Sequence, residues 1–268
     1  MSKTLQPSSG LAETWRSGWI KFPYDLALAA WAAVTSQVAK AVTADPVMQR
    51  QWLQCEGTWF VGIDALPNDP LGCVGGSGPL LGDAVDFIQQ RLGGLPALHS
   101  AQLSVMYPGY PRPRANETAA AFKFRQTRDA AHIDGILPEG PERRRKLVEP
   151  HAFILGLPLD QTLLGASPLV VWPDSPAIVR RHLKTAFAAQ PAAPWSSLDI
   201  TEAYAAARRE VFATCPRLEL PAQPGEAYLL HRLALHGVAP WRADSAERRT
   251  VAYFRPPWET DPRGFLAE

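Results

Sequence analysis

A mainly β barrel behind an N-terminal helical layer is the fold class this sequence predicts, and three observations point to it. Twenty-six prolines and 19 glycines in 268 residues cut the chain into short segments, as an all-β or α+β barrel requires. Leu26, Ala29, Ala30, Ala33, Val34, Val38 and Val42 recur near helical spacing, so their face should cover a sheet. Beyond residue 100, short apolar runs alternate with Pro/Gly turns.

The elements follow in order. Residues 1–24 read as loosely ordered, with Trp15, Trp19 and Phe22 as anchors. Asp25 is placed to cap the first helix and Asp45-Pro46 to end it. Residues 51–63 read as a short helix and then a strand, and 66–80 as a long Gly/Pro loop. A helix over 83–92 closes at Gly93-Gly94. Strands are expected at 102–107, 119–125, 152–159, 167–172, 218–220, 226–231 and 248–254. Helices are expected over 176–188 and 199–214, the second opened by Asp199-x-x-Glu202, which resembles a capping box. The basic run at 139–149 reads as a solvated turn, or alternatively as a flap over an anionic substrate.

Composition narrows the class. The net charge of +1 gives no field for nucleic acid or an anionic membrane. Residues 1–10 lack a signal-peptide core. The most apolar stretch, 26–42, carries Thr35, Ser36, Gln37 and Lys40 and reads as a packed helix, not a span. Cys55, Cys73 and Cys215 are odd in number and far apart, which points to reduced thiols and a cytoplasmic setting. A single domain over 1–268 is the simplest description, helical over 1–95 and β over 96–256, with a small-molecule substrate.

Chemistry concentrates at His132-Ile133-Asp134-Gly135. In extended backbone, residues i and i+2 share a face, so an imidazole and a carboxylate stand side by side. They are two of the three ligands of a facial iron site. Either His231 or His236 can be the third. Along 248–254, Arg248, Thr250 and Ala252 face one way and Arg249, Val251 and Tyr253 the other. A guanidinium projected into a barrel must meet a carboxylate, and a dicarboxylate ligand is one answer.

Four pieces, in this order, resemble the phytanoyl-CoA dioxygenase family of iron(II)- and 2-oxoglutarate-dependent oxygenases. They are His132-Ile133-Asp134-Gly135, the Gly165–Ser175 stretch, Pro224-Gly225-Glu226 running to His236-Gly237, and Arg248-Arg249-Thr250-Val251. The resemblance spans roughly residues 100–256. It implies a double-stranded β-helix (jelly roll, cupin-like), with His132, Asp134 and His236 as iron ligands. It also implies Arg248 as the 2-oxoglutarate anchor, or Arg249 if the register shifts by one. His231 then supports the site or is core.

Two departures stand out. Pro173-Asp174-Ser175-Pro176 replaces the family's Pro-Gly-Ser-His turn, and Val238 stands where Ser or Thr is usual. A second polar contact to 2-oxoglutarate is then expected from Gln102, Thr250 or Lys123. The implied chemistry uses Fe(II), 2-oxoglutarate as cosubstrate and O2. It oxidises a small-molecule C–H bond and releases succinate and CO2. Related halogenases carry Ala or Gly in place of the carboxylate ligand, so Asp134 points to hydroxylation, desaturation or ring formation. Tyr107, Arg125 and Trp172 are candidate substrate contacts. Two other readings are a cupin-like zinc hydrolase or isomerase on His132, His231 and His236, and a non-catalytic binding barrel.

Overall fold

The computed structural model describes residues 9–189, 194–244, 248–258 and 262–267. The first elements are α1 (Ser9–Ser17), β1 (Trp19–Phe22), α2 (Leu26–Ala44), α3 (Pro46–Trp52), β2 (Leu53–Gln54), β3 (Trp59–Phe60) and α4 (Asp83–Leu92). Then come β4 (Gln102–Met106), α5 (Ala119–Thr127), β5 (Ile136–Glu139), β6 (Arg144–Leu147), β7 (Phe153–Pro158), β8 (Leu169–Val171) and α6 (Ser175–Ala188). The chain continues through α7 (Thr201–Thr214), β9 (Leu218–Leu220), β10 (Ala227–His231), β11 (His236–Val238), β12 (Arg249–Phe254) and α8 (Pro262–Phe265).

Two antiparallel sheets face each other. The larger has the order β1-β10-β7-β12-β4-β3-β2, the smaller β11-β8-β9, and an isolated bridge from His132 to His236 extends the smaller one. This interleaving of strands distant in sequence is the double-stranded β-helix. The alternation of each strand sorts its residues. Ile154, Tyr228, Leu230, Val251 and Tyr253 of the large sheet meet Leu169, Val171 and Leu220 of the small one, forming the barrel interior. Leu103, Val105, Leu155, Leu157, Leu229, Ala252 and Phe254 face outward onto Trp15, Leu28, Trp31, Phe87 and Ile88 of the helical layer. Val170 and Trp172 back onto Val179, Leu183, Tyr204 and Val211 of α6 and α7. Each large apolar side chain buried this way contributes about 1.5–3 kcal/mol.

Local signals set most boundaries. Asp25 caps α2, its Oδ1 accepting from the amides of Ala27 (2.7 Å) and Leu28 (3.2 Å). Its Oδ2 also accepts from the amide of Asp83 at 3.0 Å, tying the start of α4 to α2. Asp25→Ala should therefore lower stability by about 1–2 kcal/mol, read as a lower urea midpoint at unchanged slope. α2 is long and apolar enough to cross a membrane by length and composition; here its Leu28, Trp31, Ala32 and Ala39 are packed in the helical-layer core.

Four expectations need correction. Residues 9–22 are ordered: α1 leads into β1, which pairs with β10 because Ile20 and Phe22 fill the outer face of the sheet. Residues 119–127 form a helix, not a strand. Thr118 caps it through the Ala121 amide (3.2 Å), and three alanines in its first turn outweigh the alternating Phe122 and Phe124. The 139–149 region is the β5–β6 hairpin, where Lys146 pairs with Glu139 and Arg144 with Glu142. The capping box does not form: Ile200 occupies the cap position, and Asp199 instead accepts from the Thr201 amide at 2.9 Å.

Candidate metal centre

The two histidines meet through their backbones. The His132 amide donates to the His236 carbonyl at 2.8 Å and the His236 amide to the His132 carbonyl at 3.1 Å. In β11, His236 stands opposite Val171 and Val238 opposite Leu169, so both point into the barrel interior with their partners. Ile133, between His132 and Asp134, is buried against the α6–α7 core, which turns those two side chains the other way. The Ile133 amide donates to the buried phenol oxygen of Tyr204.

His132, Asp134 and His236 each present a ligand atom, all within 4.8 Å of one another. Nε2 of His132 lies 3.0 Å from Oδ1 of Asp134, and Nε2 of His236 lies 3.7 Å from the same oxygen. Donors on one face of an octahedral ion with bonds near 2.1 Å stand roughly 3 Å apart. The tautomers also suit a metal. Nδ1 of His132 is 3.0 Å from the Ala130 carbonyl, and Nδ1 of His236 is 3.0 Å from the Ala234 carbonyl. A carbonyl only accepts, so each Nδ1 carries the proton and each Nε2 turns a lone pair toward Asp134. An imidazole lone pair and a carboxylate oxygen at 3.0 Å repel unless a cation lies between them. The donor set thus fits a divalent ion.

Burial pushes the Asp134 carboxyl up, but the adjoining His132 and His236 rings and the charge of Arg255 hold it well below its ordinary value. Nη1 of Arg255 reaches Oδ2 of Asp134 at 3.5 Å, leaving Oδ1 toward the histidines. Burial and the neighbouring His132 bring His236 down to about 4. The sign follows. Between pH 6.5 and about 4 the unfolded chain takes up a proton at this residue that the folded chain refuses, so stability falls as pH falls through that window. The metal-free protein should lose about 2 kcal/mol between pH 7 and pH 5 from this residue, measured by urea melts. His236→Gln should remove that part of the slope.

Arg249 is a cation that faces the interior. It shares its face of β12 with Val251 and Tyr253, stands opposite Met106, and is 4% exposed. Its Nη2 donates to the Tyr253 hydroxyl at 3.3 Å, and the Tyr228 hydroxyl is a further hydrogen-bonding partner. Among the described residues, Nη1 has no hydrogen-bond partner. Gly156 lies between the two tyrosines; a Cβ there would come within 2.7 Å of the Tyr253 ring and 3.1 Å of Tyr228. A buried guanidinium with one idle nitrogen and no carboxylate is costly, and a bound carboxylate would complete it.

Several expected site residues lie elsewhere. Arg248 points to the helical layer, donating to the Thr43 hydroxyl at 2.9 Å and pairing with Asp160 at 3.4 Å. Thr250 shares that outer face, opposite Val105. Tyr107 joins Arg248 there through a hydrogen bond and packs on the outer core. Arg125 is buried on α5 in an ion pair with Glu117. Trp172 backs onto Phe212, ring centroids 5.4 Å apart, on the outer side of the small sheet. Lys123 is exposed on α5. The His231 ring packs at a tilt against Trp15 of the helical layer, centroids 5.1 Å apart, so His132, His231 and His236 form no common site and the zinc arrangement is not assembled. Gln102 does face inward, opposite Tyr253, with its amide donating to the Val61 carbonyl at 2.8 Å. Arg255 was not anticipated. It has the same parity as Arg249, Val251 and Tyr253, a signal readable once the inner face of β12 is known.

The sequence matches no protein-family model and no curated protein. Solved structures do match. AviO1 from Streptomyces viridochromogenes superposes with a TM-score of 0.54 at 15% identity, over 97% of this chain and 99% of that one. SnoK, a non-heme alpha-ketoglutarate-dependent carbocyclase from nogalamycin biosynthesis, gives 0.52 at 13% identity, over 93% and 84%. EctD from S. alaskensis with bound Fe gives 0.51 at 17% identity, over 100% and 85%. The likeness is one of fold: this chain is a double-stranded β-helix of the jelly-roll kind that these proteins share.

Proposed function

We propose that this protein is an Fe(II)- and 2-oxoglutarate-dependent oxygenase of the phytanoyl-CoA dioxygenase type, acting on a C–H bond of a small molecule. The observation that carries the reading is the pairing of two features in one barrel. A His-Asp-His set has both Nε2 lone pairs turned to the carboxylate, and the inward guanidinium of Arg249 has Nη1 idle. The fold shared with SnoK and with iron-bound EctD supports it.

His132, Asp134 and His236 would hold the metal, and Arg249 the distal carboxylate of 2-oxoglutarate. When bound, metal and cosubstrate together supply the activation of O2 and the oxidation of the substrate, with succinate and CO2 released. The chain's own residues position and shield. Asp134 stays ionised and is steered by Arg255. The phenols of Tyr253 and Tyr228 orient the Arg249 fork, and Ile154, Leu169, Val171 and Leu230 make the barrel interior around it apolar. His132, with 49% of its side chain exposed, marks the side from which substrate approaches. With the carboxylate ligand present, the outcome is hydroxylation, desaturation or ring formation, not halogenation.

The test is anaerobic titration of the protein with Fe(II) and 2-oxoglutarate, followed by admission of O2. The expected result is a visible charge-transfer band that needs both, then succinate on aeration. The absence of both band and succinate overturns the reading.

A further inference from the structure

The turn that delivers His132 is one the chain would not hold unaided. Asp129 and Ala130 are consecutive left-handed residues, with φ of 55° and 53°. The left-handed conformation costs a residue with a Cβ about 1–2 kcal/mol, and since Asp tolerates it better than most, the cost falls mainly on Ala130. The Ala130 carbonyl is the one that fixes the His132 ring, at 3.0 Å from its Nδ1. Any relaxation of the strained pair therefore rotates a metal ligand.

What holds the pair is an ion ladder. Asp129 is 3% exposed, and its carboxylate takes a fork from Arg217, Nε to Oδ2 at 2.7 Å and Nη2 to Oδ1 at 2.8 Å. Nη1 of Arg217 donates to Oε1 of Glu219 at 2.8 Å. Nη2 of Arg242 closes the ladder on Glu219, at 2.7 Å to Oε1 and 2.6 Å to Oε2. The backbone of Arg242 is in turn fixed, its amide donating to the Gly165 carbonyl at 2.8 Å. Asp129 is also joined to the other histidine's strand: its carbonyl accepts from the Val238 amide at 2.9 Å. Gly237, between Val238 and His236, leaves the space for that contact, since a Cβ there would lie 2.2 Å from the Asp129 carbonyl oxygen.

We propose that Asp129 is a positioning residue for the metal centre. Through the Arg217–Glu219–Arg242 ladder it pins the strained turn and so sets the distance and ring orientation of His132 against His236. The inference rests on the reading of His132, Asp134 and His236 as metal ligands. A buried ion pair contributes little net stability, since desolvation offsets most of its attraction. Ligand geometry is then where its effect should register.

The experiment titrates Co(II) alone into the metal-free 268-residue chain, following its d–d absorption, with a thermal melt of each variant. Wild type should bind one Co(II). Asp129→Asn should bind it about 10–100-fold more weakly and with a displaced band pattern, the scale on which a partner of a ligand acts. Arg217→Lys keeps the charge but not the fork and should also weaken binding, by several-fold. It decides the matter if Asp129→Asn does not fold. Asp25→Ala, destabilised through its helix caps alone, should bind Co(II) as wild type does. A folded Asp129→Asn, or failing that Arg217→Lys, with wild-type affinity and spectrum overturns the ladder's role, whatever its melting temperature. Absence of Co(II) binding by wild type overturns the metal reading itself.

Discussion

Arg249→Ala should raise the 2-oxoglutarate concentration for half-maximal turnover by roughly 30-fold to 3,000-fold, while Arg248→Ala should shift it by less than about 3-fold. The first range corresponds to the roughly 2–5 kcal/mol lost when one partner of a buried, hydrogen-bonded charge pair is truncated. The asymmetry comes from the faces of β12. Arg249 is buried among the interior tyrosines with Nη1 idle, whereas Arg248 is already hydrogen-bonded to Thr43 on the outer face of the sheet. Arg249→Lys should recover only part of the loss, because an ammonium cannot fork onto a carboxylate. Steady-state kinetics with 2-oxoglutarate varied at saturating Fe(II) measures all three. The opposite order, with Arg248→Ala the more damaging, would mean that the cosubstrate does not lie along the inner face of β12.

Asp134→Ala should abolish product formation and weaken binding of a divalent ion by more than about 100-fold. The loss exceeds the 10–100-fold expected for a residue that merely supports a ligand, because a charged ligand itself is removed. Asp134 is the anionic member of the triad, and it holds its charge despite burial. Its removal also leaves Arg255 without its carboxylate. The measurements are Co(II) titration and succinate release. Unchanged turnover in this variant would reject the ligand assignment.

Much of this site can be read from the chain before folding is considered. His132-x-Asp134 sets an imidazole and a carboxylate on one face by spacing, whereas the residues alone leave His231 and His236 equal as the third candidate, and the family resemblance is what singles out His236. Asp25, Asp45-Pro46 and Gly93 bound their helices as written, since a cap acts on amides within three residues of itself. The failures share a cause. The alternation of 248–254 is equally consistent with either face turned inward, and only the Leu103/Val105 and Leu155/Leu157 pairs packed under the helices show that Arg249 is inside. Residues 119–127 carry both a period-two aromatic pair and an alanine-rich helical turn, and the Thr118 cap decides between them.

The sequence by itself determined the pairing of His132 with Asp134 and the helix ends at Asp25, Asp45 and Gly93, because those depend on neighbours a few residues apart. Tertiary structure alone decided which arginine enters the barrel, that His231 belongs to the helical layer, and that Arg217, 88 positions downstream, holds the turn before His132. These depend on which elements pack against each face of a strand, and alternation along the chain carries no record of that choice.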